Sequence, residues 1–523
     1  MSFRSAGLAA LAFLAVFAVE PAAPAPLDTE GRVFVDSDGR QVLLNAINIG
    51  FTHRTEPGEN GRNWAWEHGG PEDFSRIKCW GFNAVRLVLF WACVEPAPGQ
   101  YDAAFLDAVE ERLDWAANRD LFVVLDMHQD LWGAGVPGGR GAPAWALLAP
   151  DAAHVAEGPV WSAAYFQSPR VQKAFDAFWE NRPGPDGAGI QDRFAQAWRH
   201  VAARFQGHPA LIGYDLYNEP FAGSPVVQAM KRMTAALAPE LHEQGVDLAG
   251  LEPAEAAKAA FEVARSDPGR YRKWLAAGKR VLGALDRRRI APMYQRVAQS
   301  IREVDNESIL FFAPALTSNL GVTPSLPPIT RANGEMDPRQ AFAPHLYEDD
   351  VARMRIAAEN LLGYAAELGV PVFAAEWGNL GNEDKIFSQD PVPAAEALLA
   401  MLDEHLAGRA YWYYQRGLPN EQFFDKVLAR PCPLAIAGRI QEYRFTPEKG
   451  ELVCIWEPLA NPKPQSCLYL PQSRFSHEYR LHMAPPITGV HTRSPVPQLP
   501  NWYLMVPSAG AEGVQKLRVM GTR

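Results

Sequence analysis

The chain contains the stretch Leu211-Ile212-Gly213-Tyr214-Asp215-Leu216-Tyr217-Asn218-Glu219-Pro220, an apolar run that ends in a carboxylate. Residues 371–378 repeat this arrangement, and their carboxylate is Glu376. Runs with so few polar side chains are typical of strands that are buried on both faces. The two stretches therefore predict parallel strands of an α/β fold, each with a glutamate at its carboxyl end.

Six more apolar runs share this character, and helix-like stretches separate the runs. The further runs are residues 42–49, 83–89, 121–127, 308–313, 341–345 and 409–414, and the clearest helix-like stretches are 102–119, 191–205 and 354–368. Eight alternations of strand and helix over roughly 380 residues predict a (β/α)8 TIM barrel, which we place at residues 27–428. On this count Glu219 follows strand four and Glu376 follows strand seven.

Two long insertions and a C-terminal change of pattern complete the predicted organisation. The insertions, at about residues 132–185 and 221–289, follow strands three and four, on the face where such barrels keep their catalytic groups. We interpret them as walls or a lid over the cleft, the alternative being helices packed on the outer ring. Residues 429–523 show short alternating segments that predict an antiparallel β-sandwich. We expect this sandwich to brace the barrel, and membrane binding is the alternative.

Residues 1–26 have the pattern of a secretory signal followed by a Pro/Ala linker. Arg4 precedes a short apolar run at residues 6–18, which small residues follow. The pattern predicts a secreted or periplasmic protein, and a retained membrane anchor is the alternative.

Composition excludes several classes of function. A net charge of −10 argues against a nucleic-acid partner and against electrostatic attachment to anionic lipid. Five cysteines do not make a disulfide scaffold, and no zinc-type spacing occurs, so we expect neither a cofactor nor a metal. A bridge among Cys432, Cys454 and Cys467 and buried free thiols both remain open.

Two carboxylates at strand ends suit the hydrolysis of a glycosidic bond. One glutamate protonates the glycosidic oxygen while the other attacks the anomeric carbon, and a shared cleft can hold their pKa values apart. A separation of about 5–5.5 Å predicts retention of configuration, and a wider one predicts inversion. The alternative for Glu219 and Glu376 is a pair of structural ion pairs.

Other polar or aromatic side chains near strand ends are candidates for binding a substrate. Arg86 lies inside an apolar strand and needs an ionic partner, for which Glu376 is a candidate. Tyr347 can bond a carboxylate or a ring oxygen, and Trp412 can stack under a sugar or belong to the core. The full set of candidates is Arg86, His128, Asp130, Asn218, His345, Tyr347 and Trp412.

These residues together resemble glycoside hydrolase family five, and in detail its endoglycoceramidase branch. The stretch Leu125-Asp126-Met127-His128-Gln129-Asp130-Leu131-Trp132 resembles that branch's third-strand motif, which is fairly specific. Residues 217–220 and 375–378 match the family in general. Residues 430–438 resemble the branch's junction between barrel and β domain, from which Cys432 is a departure.

The resemblance implies a retaining double displacement with Glu219 as the acid/base and Glu376 as the nucleophile. It implies that the other seven candidates line the glycone site, and that an intact glycan is released from the ceramide of a glycosphingolipid. We expect transient contact with a membrane surface and a monomeric protein. The alternatives are a β-glucanase, mannanase or steryl-glucosidase of the same family, and, from another class, a non-catalytic carbohydrate-binding protein.

Overall fold

The structure is a computed structural model that describes residues 24, 26–53, 64–66, 68–155, 161–248, 251, 253–378, 390–460, 464–475, 479–494, 502–508 and 513–521. The predicted signal sequence therefore lies almost wholly outside the described residues. Among the described helices, none has both the length and the apolar character needed to cross a bilayer.

The strands of the described chain are β1 (Leu27–Glu30), β2 (Val33–Asp36), β3 (Gln41–Val42), β4 (Asn45–Ile49), β5 (Thr52–His53), β6 (Trp64–Ala65), β7 (Ala84–Phe90), β8 (Phe122–His128), β9 (Leu211–Asp215), β10 (Ile309–Phe312), β11 (Gln340–Phe342), β12 (His345–Leu346), β13 (Phe373–Gly378), β14 (Gly408–Trp412), β15 (Cys432–Ile436), β16 (Gly438–Thr446), β17 (Glu451–Pro458), β18 (Ser466–Leu470), β19 (Arg480–Ala484), β20 (His491–Arg493), β21 (Trp502–Val506) and β22 (Gln515–Met520).

The α-helices are α1 (Pro71–Cys79), α2 (Trp91–Val94), α3 (Ala103–Ala117), α4 (Ala164–Gln167), α5 (Pro169–Trp179), α6 (Ile190–Phe205), α7 (Val226–Ala236), α8 (Ala238–Glu243), α9 (Pro253–Arg265), α10 (Pro268–Leu285), α11 (Ala291–Arg302), α12 (Val351–Leu368) and α13 (Val392–Glu404). Several begin at a side-chain cap that satisfies a free backbone N–H group. Asp102 accepts from the backbone N–H of Phe105 at the start of α3, and Asp350 accepts from that of Arg353 at the start of α12.

A closed parallel barrel forms the centre of the molecule. Its strands are β4, β7, β8, β9, β10, the pair β11 and β12, β13 and β14, each parallel to its neighbours. The sixth strand is split, because β11 pairs with β10 while β12 pairs with β13. Strand β14 closes the ring by pairing with β4. The predicted (β/α)8 barrel is confirmed.

The alternation of side chains along three barrel strands places polar groups on the inner face. Ala46, Ala84 and Val124 belong to the core cluster inside the barrel. Because side chains repeat every second residue along a strand, Asn48, Arg86 and Asp126 point to the same side two residues further on. Small apolar side chains thus fill the amino-terminal end of the barrel, and polar ones occupy the carboxyl end. Phe34 of β2 covers the amino-terminal end, with its ring centroid 6.1 Å from that of Phe311.

The second insertion folds into helices α7 to α10, which pack on one another and on α12. Tyr271 and Trp274 of α10 are fully buried, so this insertion has an apolar interior of its own. The first insertion packs through aromatic rings. Trp132 contacts Phe175 and Phe178 of α5 at centroid distances of 5.3 and 5.5 Å.

The C-terminal region forms two antiparallel sheets around a separate apolar core. One sheet has the order β16-β17-β22-β19, and the other has the order β1-β2-β3-β15-β18-β21-β20. The larger sheet therefore includes the first three strands of the chain, with Val42 paired to Ala435. This differs from the predicted domain boundaries, which assigned residues 27–42 to the barrel. All five cysteines lie in the described part of the chain and are free thiols.

Buried ion pairs and hydrogen bonds attach the sandwich to the barrel. Arg409 of β14 and Arg430, just before β15, each lie 2.6 Å from an oxygen of Asp403. The Tyr503 hydroxyl donates to the backbone oxygen of Lys78 at 2.7 Å. Truncating such a buried pair leaves an uncompensated charge. The contacts of Arg430 and Tyr503 join the sandwich to the barrel, and its role as a brace stays a prediction.

Candidate active site

Two glutamates and a histidine meet at the carboxyl end of the barrel. Glu219 follows β9, His345 begins β12, and Glu376 lies in β13 directly beside His345 in the strand register. One oxygen of each carboxylate and Nδ1 of the histidine all lie within 4.8 Å of one another. Glu219 is 9% exposed and Glu376 is 4% exposed. The fold therefore brings the two sequence-predicted carboxylates into one buried site.

The close approach of the two carboxylates indicates the stereochemical course. Retaining glycosidases hold their carboxyl groups about 5–5.5 Å apart, whereas inverting enzymes leave about 6.5–9.5 Å for a water molecule. Glu219 and Glu376 have oxygens within 4.8 Å of each other, and this close approach fits the retaining arrangement.

Arg86 is the centre of the polar network under the site. Its guanidinium lies 2.8 Å from Asp126, 2.8 Å from Asp215 and 2.9 Å from Glu376. It also donates to the side-chain oxygens of Asn48 and Asn218. Burial opposes the charge, but the three carboxylates raise the pKa of Arg86 above its ordinary value. Burial raises the pKa of Asp215 to about 7, against the opposing influence of Arg86. The Arg86 guanidinium thus faces three carboxyl groups in one buried network.

Each oxygen of Glu376 has its own donor. Arg86 donates to Oε1 at 2.9 Å, and the Tyr347 hydroxyl donates to Oε2 at 2.9 Å. Burial raises the pKa of Glu376, while His345 and Arg86 act in the opposite direction. Burial also raises the pKa of Tyr347, so the phenol keeps its proton as a donor. Glu376 is therefore held in place and compensated as an anion, as a nucleophile requires.

Glu219 is buried as well, but an amide and a neutral ring, rather than a guanidinium, lie against its carboxyl group. Burial raises its pKa to about 7, and the charge of Asp130 adds to this effect. Nδ2 of Asn319 lies 2.5 Å from Oε1 and opposes the rise. A carboxyl group with this pKa is protonated in a large share of molecules near neutral pH. It can therefore donate a proton to a leaving group.

The backbone at Glu219 is strained and is held by a glutamine. Its φ is +43°, in the left-handed region that side-chain-bearing residues rarely adopt. Nε2 of Gln129 donates to the backbone oxygens of Asn218 and Glu219 at 3.1 and 3.0 Å. The Tyr165 hydroxyl in turn donates to Oε1 of Gln129 at 3.0 Å. Strain of this kind persists where surrounding bonds fix it, and it is common at functional sites.

His345 acts as a neutral ring between the two carboxylates. Burial lowers its pKa to about 4, so the imidazole carries no charge near neutral pH. Within the described part of the chain, no group bonds to its Nε2. Nδ1 lies 2.9 Å from Oε1 of Glu219, so the ring and the carboxyl group share one hydrogen bond.

A second cluster forms one wall of the cleft. Nδ1 of His128 lies 2.8 Å from Asp126, and its Nε2 lies 3.7 Å from Asp130. Burial opposes charge on the ring, but the two carboxylates raise the pKa of His128 to about 10. The ring stacks on Trp412 with a centroid distance of 5.2 Å and an interplanar angle of 7°. Trp412 is partly exposed, so it can offer ring surface to a sugar.

All nine residues predicted from the sequence belong to this connected site. The predicted contacts of Arg86 with Glu376 and of Tyr347 with a carboxylate are both observed. Five further residues belong to the site and were not predicted from the sequence: Asn48, Asp126, Asp215, Gln129 and Asn319. The first three are polar residues inside apolar strands, which is the signal that identified Arg86. Asn319 stands in a short 3₁₀ helix after β10, which no such pattern marks.

A family model for cellulase (glycosyl hydrolase family 5) matches residues 35–417. The chain belongs to that family and is a glycoside hydrolase.

Individual relatives show which members of the family the chain is similar to. Endoglycoceramidase I of Rhodococcus hoagii (strain 103S) is 26% identical over 468 residues, which cover 85% of this chain and 80% of the relative. A glucosylceramidase of Aspergillus fumigatus is 30% identical over 254 residues, which cover 39% of this chain and 33% of the relative. The solved structure of endo-glycoceramidase II from Rhodococcus sp. in complex with ganglioside GM3 has a TM-score of 0.66 and 26% identity. It covers 94% of this chain and 100% of that chain.

Proposed function

We propose that the protein is a retaining β-glycosidase that cleaves the bond between glycan and ceramide in glycosphingolipids. The reaction type rests on the close approach of Glu219 and Glu376, which have oxygens within 4.8 Å of each other, and on the different donors that bond to them. The likeness to endoglycoceramidases over most of the chain supports ceramide as the leaving group.

The reaction proceeds in two displacements. In the first, Oε2 or Oε1 of Glu376 attacks the anomeric carbon while Glu219 gives its proton to the departing ceramide oxygen. In the second, Glu219, now ionised, takes a proton from water as that water attacks the same carbon and frees Glu376. The pKa of Glu219 near 7 suits a group that donates a proton in one step and accepts one in the next.

The cleft wall supplies contacts for the sugar. Asp130 can accept hydrogen bonds from sugar hydroxyls, and its side chain is partly open to the cleft. Trp412 offers a face for stacking. Asn218, next to the acid/base, can bond the 2-hydroxyl, an interaction that strengthens in the transition state.

The product mixture tests the choice of substrate. Purified protein is incubated separately with a ganglioside, glucosylceramide, a steryl glucoside, soluble cellulose and mannan, and the products are identified by mass spectrometry. We expect an intact glycan and free ceramide from the glycosphingolipid, and no product from the Glu376→Gln variant. Turnover of the polysaccharides alone would contradict the proposal. Turnover of the steryl glucoside alone would show that the aglycone is a sterol and not ceramide.

Location and assembly form part of the proposal. We infer that the chain is exported and that it acts as a monomer which touches membrane surfaces transiently. Sequencing the mature amino terminus from culture medium or periplasm tests export, since an intact Met1 in the cytoplasm would contradict it. Light scattering after size exclusion tests whether the protein is a monomer. Co-sedimentation with glycolipid vesicles tests whether it touches membrane surfaces.

A further inference from the structure

One tyrosine of the second insertion touches two loops of the catalytic face. Tyr271 lies in the first turn of α10 and is fully buried. Its hydroxyl is 2.7 Å from the backbone oxygen of Leu320 and 2.8 Å from Oε1 of Glu348. Burial and the neighbouring Glu348 raise the pKa of Tyr271, so the hydroxyl keeps its one proton and shares it between the two acceptors as a three-centre hydrogen bond.

Both partners of Tyr271 stand next to residues that touch the catalytic pair. Leu320 follows Asn319, whose amide lies 2.5 Å from Glu219. Glu348 follows Tyr347, whose hydroxyl lies 2.9 Å from Glu376. The loop after strand five and the loop after strand six are therefore joined by a single hydroxyl from an insertion that follows strand four.

The sixth loop is held by further charged contacts. Nε of Arg353 lies 2.9 Å from Glu348, and its Nη2 donates to Asp349. Arg265 of α9 lies 2.8 Å from the same Asp349. The side chains of Glu348, Asp349 and Arg353 are at most 7% exposed. Hydrogen bonds in such a buried network depend strongly on one another, so the loss of one donor displaces its neighbours.

We propose that Tyr271 is a positioning residue, whose hydroxyl sets the loops after strands five and six so that Asn319 reaches Glu219 and Tyr347 reaches Glu376. This inference rests on the proposed roles of the two glutamates. Tyr271 acts through Leu320 and Glu348 and does not enter the cleft. The second insertion thereby holds Asn319 and Tyr347 in place against the two glutamates without lining the cleft at Tyr271.

The Tyr271→Phe variant removes the hydroxyl and keeps the ring, which stacks on Trp274 at a centroid distance of 5.9 Å. Small misplacements of catalytic groups lower rates by up to about a hundredfold. We expect kcat to fall about tenfold or more with little change in KM. We also expect the basic limb of the pH profile to move upward, because the amide of Asn319 that lowers the pKa of Glu219 is no longer held against it.

Tyr443→Phe is the matched control. The Tyr443 hydroxyl donates to the backbone oxygen of Pro431 at 2.7 Å, in the sandwich and away from the cleft. Both variants lose one buried hydroxyl, so both should unfold at a lower temperature by similar amounts. Only Tyr271→Phe should change kcat and the pH profile.

A double-mutant cycle then tests the coupling. Combined with Asn319→Ala, the Tyr271→Phe change should cost less than it does alone, because the contact that it supports is already gone. Additive effects, or a Tyr271→Phe enzyme with unchanged kcat and pH profile, would overturn the inference. If Tyr271→Phe does not fold, Glu348→Met, which removes an acceptor of the Tyr271 hydroxyl, must show the same loss of kcat and the same pH shift, and a wild-type profile there would equally overturn it. A wild-type protein that cleaves no glycoside would instead refute the proposed function.

Discussion

Nδ1 of His345 lies 2.9 Å from Glu219 and 3.4 Å from Glu376, so one neutral ring stands between the two catalytic carboxylates. On one side Arg86 and Tyr347 compensate Glu376 as an anion. On the other side burial and Asp130 favour the protonated form of Glu219. Two carboxyl groups of the same type thus receive different roles from their surroundings.

Removing the acid should trap the covalent intermediate. In the Glu219→Gln variant, an aryl glycoside with a good leaving group needs little acid assistance, so Glu376 is still glycosylated. The second displacement lacks its base, and turnover should fall by about 10²–10⁴-fold. Mass spectrometry of the intact variant should therefore show protein heavier by one glycan unit.

The control for this experiment is the double variant with Glu376→Gln, which should carry no added mass because no carboxylate nucleophile remains. An adduct that forms without Glu376 would place the nucleophile elsewhere. The single variant Glu376→Gln should itself lose several orders of magnitude in rate.

The pH profile of kcat/KM should fall as the pH rises through about 7. Catalysis needs the protonated form of Glu219, whose pKa is about 7, so raising the pH removes the active form. The Asp130→Asn change removes a negative charge that raises this pKa, and the basic limb should move to lower pH. Asn319→Ala removes a donor that lowers it, and the limb should move to higher pH.

These two variants control for each other, because both alter one polar side chain near Glu219 and only the sign of the shift differs. Initial rates on a soluble aryl glycoside over pH 5 to about 9 measure the pH at which the basic limb of the profile falls. Shifts in the same direction would show that Glu219 is not the group that titrates.

Loss of Arg86 should destabilise the fold in a pH-dependent way. Arg86→Met leaves Asp126, Asp215 and Glu376 without their cation, and breaking a buried pair of this kind costs about 3–5 kcal/mol. Arg86 lowers the pKa of Asp215, which burial raises, so its removal raises that pKa further. The folded variant therefore keeps a proton on Asp215 to higher pH than the wild type does, and its stability falls more as the pH rises. The deficit should be larger at pH 8 than at pH 5.

Urea unfolding at the two pH values measures this difference. Leu87→Ala, at a fully buried position in the same strand, is the control, since a cavity costs about 2–5 kcal/mol at either pH. A deficit of Arg86→Met that does not change with pH would contradict the electrostatic explanation.

Truncation after Leu428 should prevent the barrel from folding in soluble form. The cut removes Arg430 and β15, and so leaves Asp403 without one of its two cations and β3 without one of its two partner strands. Expression of residues 27–428 should give insoluble protein, measured by the share in the soluble fraction against the full chain. A soluble, active fragment would show that the sandwich is not a brace.

The barrel was predictable because its strands are uniformly apolar and because Arg86, Glu219 and Glu376 interrupt or end them. The catalytic pair and the seven other candidates follow from the same contrast between a buried strand and a polar side chain. Asp126 and Asp215 carry the same signal and could have been found as partners of Arg86.

Other features depend on contacts that no local pattern records. Asn319 reaches Glu219 only because the loop after strand five folds over the site, 100 residues away along the chain. The split of strand six at Ala343 and Pro344 depends on its two different neighbours. The pairing of β3 with β15 was missed because alternating apolar residues near the amino terminus do not indicate which sheet receives them.

That pairing also sets an order of events during synthesis. Gln41 and Ile440, joined by a hydrogen bond, are 399 residues apart, so the ribosome must make most of the chain before the second edge of β3 finds its partner. Contacts so distant in sequence are slow to form. The amino-terminal strands, which carry the Phe34 side chain that covers the amino-terminal end of the barrel, must therefore keep the β3 edge unpaired until β15 has been made. A chaperone that shields this edge would raise the yield of native enzyme.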